Sequence, residues 1–144
     1  MKHYFLLAVL CVHQVAFAQT KFLAESDIRK TAESVVANVT AGNPARAWKD
    51  LRPLTVIPSS EFDVFEAQYG SQVSQMIQRF GKPIGYEYVR TEKVGNSLQR
   101  LIFLARHEKA PLRWVLVFYR TEKGWVATEF KFDGDVQNLF TAGG

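Results

Sequence analysis

The fold is decided by residues 84–132, which read IGYEYVRTEKVGNSLQRLIFLARHEKAPLRWVLVFYRTEKGWVATEFKF. β-branched and aromatic residues, which are enriched in β-strands, dominate this stretch, and short turn sequences divide it into four segments. The turns are residues 95–96, 108–111 and 122–124. We therefore predict a meander of four antiparallel strands, at residues 84–92, 98–107, 112–121 and 125–132.

The turns also predict how the strands pair. Gly95 opens a two-residue turn, which suits a type II′ hairpin, whereas Gly124 ends a three-residue turn and suits a left-handed closing position. The predicted pairs are Val94 with Ser97, Tyr88 with Phe103, Tyr86 with Ala105, Leu101 with Phe118, Phe103 with Leu116, Thr121 with Trp125 and Leu116 with Phe130.

Side chains alternate between the two faces of a strand, so these pairs sort the sheet residues into two sets. The first set is too apolar to face water, and we predict that it faces the core: Tyr86, Tyr88, Leu101, Phe103, Trp114, Leu116, Phe118, Val126, Thr128, Phe130 and Phe132. The second set forms the outer face, with an apolar centre of Val89, Ile102, Leu104, Val115, Val117 and Tyr119.

Charged residues surround the apolar centre of the outer face: Glu87, Arg100, Arg106, Arg113, Glu129 and Lys131. An apolar centre within a charged rim is typical of protein interfaces, so we predict a homodimer formed through the outer face. The alternative is a single chain that tolerates exposed Val and Leu side chains, because scattered apolar residues are normal on protein surfaces.

Three helices are predicted before the meander. Helical spacing marks a first helix over 25–40, which Gly42 ends, and a short second helix follows Asn43. A third helix is predicted to begin at a capping box around Ser60, to kink near Gly70 and to end before 81. Its apolar stripe should lie across the core face of the sheet. That stripe is Phe62, Phe65, Tyr69, Val73, Met76, Ile77 and Phe80.

Residues 1–18 form a separate segment. Lys2 precedes an apolar run, and Ala16-Phe17-Ala18 fits the small-residue pattern of a cleavage site. The run is too short to span a membrane as a helix. We predict a signal peptide over 1–18, a single domain over 19–144, and secretion into the bacterial periplasm, with no membrane span in the mature protein.

The predicted cleavage removes Cys11, His3 and His13, which leaves His107 as the only histidine and no cysteine. A cysteine nucleophile, a disulfide framework and a multi-histidine metal site within one chain are therefore excluded, and we expect no metal and no cofactor. Of the 18 Lys and Arg residues, Lys2 lies in the leader, which leaves 17 against 14 acids and a net charge of +3. These charges alternate in sign, so no nucleic-acid partner is predicted.

The order of the elements resembles the NTF2-like, or cystatin-like, α+β roll. Residues 41–48 (AGNPARAW) are similar to the segment between the first two helices of that family, residues 80–85 (FGKPIG) to the segment that leads into the meander, and residues 124–126 (GWV) to its last hairpin. The resemblance covers about 25–132 and includes small secreted bacterial members of unknown function. It implies an α+β fold in which N-terminal helices pack on a curved antiparallel sheet and form a cone.

In this family the cone can hold a small apolar molecule, and the resemblance implies such a ligand here. The candidate pocket residues are Tyr69, Met76, Phe80, Tyr86, Tyr88, Phe103, Trp114, Phe118 and Thr128. A few hydroxyl groups among aromatic side chains suit an apolar ligand with one or two polar groups. The same side chains could equally serve as core packing.

Three functions fit these observations. We expect a non-catalytic binding or interaction module. The first alternative is a cone-type lyase or isomerase that uses Tyr86 or Tyr88 as a hydrogen-bond donor. Enzymes of the family that the chain resembles use a carboxylate or histidine whose pKa is shifted inside the cone. The register places no acid on the core face, and His107 is most simply an exposed residue at a strand end, so no catalytic residue is predicted. The second alternative is an assembly subunit with a filled core and no ligand.

Overall fold

The computed structural model describes residues 20–140 of the chain. The predicted signal peptide, residues 1–18, lies outside the described residues. Within residues 20–140, no helix is both long enough and apolar enough to cross a membrane. The elements are α1 Glu25–Thr40, α2 Pro44–Leu51, α3 Ser59–Phe80, β1 Pro83–Val94, β2 Leu98–His107, β3 Leu112–Thr121 and β4 Gly124–Asp133.

The four strands form one antiparallel sheet in the order β1-β2-β3-β4, and the three helices pack on one of its faces. The predicted α+β class is therefore confirmed. Burial of large apolar side chains between these two layers is the main source of stability. The core includes Ile28, Val36, Trp48, Leu51 and Phe62 from the helices, and Leu101, Phe103, Trp114, Leu116, Phe118 and Phe130 from the sheet.

The first hairpin keeps the predicted central pairs but has a different turn. Val94 pairs with Leu98 rather than with Ser97, so the turn contains three residues, 95–97. A bulge at Val89 takes up the extra residue, because a bulge sets two residues of one strand against one of its neighbour. The confirmed pairs are Tyr88 with Phe103 and Tyr86 with Ala105.

The second hairpin is displaced by two residues from the prediction. The observed pairs are Leu101 with Leu116 and Phe103 with Trp114, in place of Leu101 with Phe118 and Phe103 with Leu116. The loop after β2 is bound to the end of α3, where the N–H groups of Lys109 and Ala110 donate to the Phe80 carbonyl oxygen at 2.9 and 3.2 Å. Because side chains alternate with a period of two, the displacement leaves the residues of β2 and β3 on their predicted faces.

The third hairpin has a two-residue turn. Thr121 pairs with Gly124 rather than with Trp125, and a bulge at Thr128 restores the register farther along β4. The predicted pair of Leu116 with Phe130 is confirmed.

Because of this bulge, the residues in the first half of β4 lie on the faces opposite to those predicted. Trp125 and Ala127 belong to the core, where Val126 and Thr128 were predicted. Val126 lies opposite Tyr119 on the outer face and is only 1% exposed. The predicted core positions of Val126 and Thr128 are therefore wrong, because turn residues alone do not reveal a bulge within a strand.

Two helices share the core face of the sheet. α1 packs against β1 and β2. α3 instead reaches β3 and β4, where the Tyr69 ring lies 6.3 Å from Trp114 and 5.5 Å from Phe132, measured between ring centroids. The prediction that α3 lies across the aromatic face is thus confirmed for half of the sheet only.

The start and the middle of α3 differ from the sequence prediction. No side chain caps the helix, so the capping box predicted at Ser60 is wrong. Asp63 instead accepts a hydrogen bond from Arg52 at 2.8 Å, and Glu66 accepts another from the same guanidinium at 2.7 Å. The helix continues unbroken past Gly70.

The segment after β4 lies beside the outer face of the sheet. It contains a short 3₁₀ helix, Gln137–Leu139, whose last two carbonyl oxygens accept hydrogen bonds from Arg90 at 3.0 and 2.7 Å. Phe140, at the end of this segment, is 72% exposed. The segment therefore adds no buried aromatic ring to the core.

Candidate ligand-binding site

A cavity of about 410 Å³ opens between the end of α1, the second half of α3 and the edge of the sheet where β1 begins. Its size lies within the range of small-molecule sites. The apolar side chains of its wall include Val39, Val73, Met76, Ile77, Leu112 and Trp114. Its polar side chains are Thr40, Tyr69, Lys82 and His107.

One wall of the cavity is built by the turn that ends α1. The N–H of Asn43 donates to the carbonyl oxygen of Asn38 at 2.8 Å, and the N–H of Gly42 donates to that of Val39 at 3.1 Å. These two bonds form a Schellman motif, which requires a left-handed residue at the position of Gly42 (φ 82°). The sequence therefore positions this wall through a glycine that ends the helix.

Tyr69 provides a hydroxyl group inside an apolar setting. Its ring is held edge-on by Trp48, with centroids 5.2 Å apart, and its burial raises the pKa of the phenol to about 12. Within residues 20–140 the Tyr69 hydroxyl has no hydrogen-bond partner, whereas every fully buried side-chain polar atom of this region has one. The hydroxyl must therefore reach accessible space, and Tyr69 lines the cavity. It remains a protonated donor at neutral pH.

His107 and Lys82 lie where β2 ends and β1 begins. The His107 Nδ1 atom lies 2.9 Å from the carbonyl oxygen of Gly81, and a carbonyl can only accept, so Nδ1 carries the hydrogen. The Nε2 atom is then the one available to a ligand. The Lys82 side chain is exposed and lines the same cavity. Sequence reasoning missed both as site residues, because their proximity depends on how the β2–β3 loop binds the end of α3.

The predicted pocket and the observed cavity share three residues, Tyr69, Met76 and Trp114. The other six candidates lie elsewhere. Phe103 and Phe118 are completely buried in the core, and Thr128 occupies the β4 bulge. Phe80 packs beside Gly134, with its ring about 6.4 Å from that of His107. The structure therefore places these four residues outside the wall of this cavity.

The last two pocket candidates, Tyr86 and Tyr88, lie under α1. The Tyr86 hydroxyl donates to Glu33 at 3.2 Å, and burial together with this carboxylate raises the pKa of the phenol. The Tyr88 hydroxyl lies 2.7 Å from Thr91, and the Arg29 guanidinium lies 3.7 Å above the Tyr88 ring. Both hydroxyl groups are thus engaged away from the cavity.

The six outer-face candidates differ in how far they reach the surface. Ile102 and Val115 are each 2% exposed within the single chain, whereas Tyr119 is 46% exposed. The remaining three, Val89, Leu104 and Val117, are partly buried. The exposed part of this face is therefore smaller than the alternation pattern predicts.

Within residues 20–140 no group of three or more His, Asp or Glu side chains is placed to hold a metal ion. No protein-family model, no curated protein and no solved structure matches the chain. The candidate site therefore rests on its own geometry: an apolar cavity with one unpartnered phenol and a basic edge.

Proposed function

We propose that the chain is a secreted binding module, without catalytic activity, that holds a small apolar ligand in the cavity beside α3. The observation that carries this proposal is the cavity of about 410 Å³, whose mainly apolar wall includes Tyr69, a residue whose hydroxyl has no hydrogen-bond partner among residues 20–140. An apolar cavity with a few placed polar groups is the usual form of a small-molecule site. The NTF2-like resemblance supports the same function, and the leader pattern of residues 1–18 supports secretion to the periplasm.

The proposal can be tested with N-phenylnaphthylamine, an uncharged dye that becomes fluorescent in apolar surroundings. Val73→Phe should fill the cavity, because Val73 lies in its wall. Val64→Phe introduces the same side chain on the same helix at a position that is 55% exposed. We expect saturable binding by the wild type and by Val64→Phe, and at least about tenfold weaker binding by Val73→Phe. Absence of binding by the wild type, or equal binding by both variants, would overturn the proposal.

A cone-type lyase or isomerase remains the alternative function. It now needs an acid or base at the cavity, and His107 is the candidate that the geometry supports, through its Nε2 atom. Conversion of a bound apolar ketone or alcohol that is lost in His107→Gln, while dye binding persists, would favour this alternative. The assembly subunit without a ligand is the function expected if no apolar compound binds.

We also propose that two copies associate through the outer face. The charged rim of the outer face supports this association, since it carries charges of both signs, with Glu87 near Arg106 and Glu129 near Lys131. A twofold interface needs a surface that is complementary to itself, and a patch with both signs can satisfy this requirement.

A further inference from the structure

We infer that the ligand is a carboxylic acid with an apolar body, whose carboxylate is bound at the basic edge of the cavity by Lys82 and His107. This inference rests on the proposed binding function and adds the chemical class of the ligand to it.

The first argument is the sign of charge around the cavity. Its ionisable wall residues are Lys82, His107 and Tyr69, and no Asp or Glu among the described residues belongs to the wall. Glu108, which follows His107 in the chain, accepts the backbone N–H of Lys82 at 3.0 Å and lies outside the wall. Within residues 20–140 the Lys82 ammonium forms no ion pair, so it is available to an anion.

The second argument is the hydrogen-bonding capacity of the wall. The ammonium of Lys82 can only donate, and the phenol of Tyr69 is a donor at neutral pH. The Gly81 carbonyl fixes the hydrogen on Nδ1 of His107, so Nε2 accepts in the neutral imidazole and donates in the imidazolium, the form that a bound carboxylate stabilises. Thr40 already donates to the Val36 carbonyl oxygen at 2.9 Å. A head group that only accepts hydrogen bonds, such as a carboxylate, fits this set.

The third argument compares a carboxylate head group with an alcohol and with an ammonium group. Transfer of a carboxylate into a purely apolar cavity is costly, so a cavity without the basic edge would prefer an alcohol to the acid of the same chain length. A preference for the acid therefore identifies the basic edge. An ammonium head group would meet Lys82 and should bind least well.

The test is displacement of N-phenylnaphthylamine by decanoate, decanol and decylamine, three compounds with the same apolar chain. We expect decanoate to displace the dye at a concentration about fivefold lower than decanol, and decylamine to be the weakest. Lys82→Gln should remove most of the advantage of decanoate and leave decanol unchanged. The control is Lys123→Gln, which removes a lysine at the β3–β4 turn that lies outside the cavity wall.

Salt provides a second readout, since an exposed Lys82 is screened by ions. The advantage of decanoate over decanol should shrink in high salt for the wild type and stay small at all salt concentrations for Lys82→Gln. If decanol and decanoate displace the dye equally, or if Lys82→Gln keeps the preference, the inference fails while the proposed function stands. If the dye and all three compounds fail to bind, the proposed function fails and the inference fails with it.

Discussion

The Phe65 ring of α3 stands edge-on against the Phe130 ring of β4, with centroids 4.5 Å apart and ring planes at 85°. Edge-to-face geometry places the positive ring edge against the negative face and stabilises a pair beyond the area it buries. This contact joins α3, the helix that carries Tyr69, to the part of β4 that follows its bulge. It is one of the contacts that hold α3 against the sheet, together with those of Tyr69 with Trp114 and Phe132.

Phe130→Ala should lower the free energy of unfolding by about 3–5 kcal/mol, since the ring is 8% exposed and also contacts Phe62 and Trp48. Urea denaturation followed by tryptophan fluorescence measures this change. Phe140→Ala removes the same ring at a position that is 72% exposed, and its effect should stay within about 0.5 kcal/mol. Equal losses for the two variants would show that α3 is not held by this contact.

Two glycines of the α3 region should respond to alanine in opposite directions. Gly81 has φ 83° and ψ 177°, a conformation almost restricted to glycine, and an added Cβ would lie 2.8 Å from the Glu108 Cβ atom. Gly81→Ala should lower the free energy of unfolding by at least about 2 kcal/mol. Gly70 lies within α3, and no atom beyond its chain neighbours and the nearby helix backbone comes within 4 Å of such a Cβ, so Gly70→Ala should raise the free energy of unfolding by about 0.5–1 kcal/mol.

Thermal unfolding of both variants beside the wild type measures these shifts. A lower melting temperature for Gly70→Ala would mean that Gly70 supports a bend in α3 that alanine does not tolerate. An unchanged melting temperature for Gly81→Ala would mean that the loop at Glu108 moves away at little cost.

The sequence was sufficient to predict the class, the helices and most of the faces, because these follow from local periodicity. α1 spans the predicted residues, and its apolar stripe from Ile28 to Val39 is buried. The two-residue displacement of the second hairpin had no effect on the faces. What local chemistry could not predict were the bulges at Val89 and Thr128, which depend on the twist and packing of the whole sheet.

The candidate site was harder to predict, because it depends on where each helix lies over the sheet. Tyr86 and Tyr88 are on the core face as expected, but α1 covers them and leaves the cavity beside α3. His107 was set aside as an exposed residue at a strand end. Its role as a cavity residue arises from its bond to Gly81, which sequence spacing does not reveal.

The ion pair between Arg113 and Asp133 predicts how stability depends on pH. The guanidinium donates twice to the carboxylate, from Nε at 3.0 Å and from Nη2 at 2.7 Å. Burial raises the pKa of Asp133, but the bonds from Arg113 and from the Asp135 N–H outweigh it, so the pKa lies below its ordinary value. The folded state then binds fewer protons than the unfolded state as the pH falls.

The resulting stabilisation is present above the unfolded-state pKa of about 3.9 and is lost as the pH falls through the lower folded-state pKa. Asp133→Asn should therefore be less stable than the wild type at neutral pH and should lose less stability on acidification. The variant will still lose some stability on acidification, because hydrogen bonds from Arg90 and Arg100 also lower the pKa of Glu92. Urea midpoints measured from neutral pH downwards test this. Asp50→Asn, at an exposed ion pair with a 4.0 Å separation, is the control, and its stability should follow the wild-type dependence on pH. A pH dependence of Asp133→Asn that runs parallel to that of the wild type would contradict the prediction.

Association through the outer face makes a prediction for Val117, which is partly buried near the centre of that face. If two copies meet there, Val117→Glu places a carboxylate against the same carboxylate of the second copy or against its apolar centre, and both contacts are costly. Sedimentation equilibrium should give a dimer for the wild type and a monomer for Val117→Glu. Val94→Glu, at a hairpin position that is 70% exposed, should remain a dimer. A wild type that sediments as a monomer at high concentration, or a Val117→Glu variant that stays dimeric, would rule out this interface.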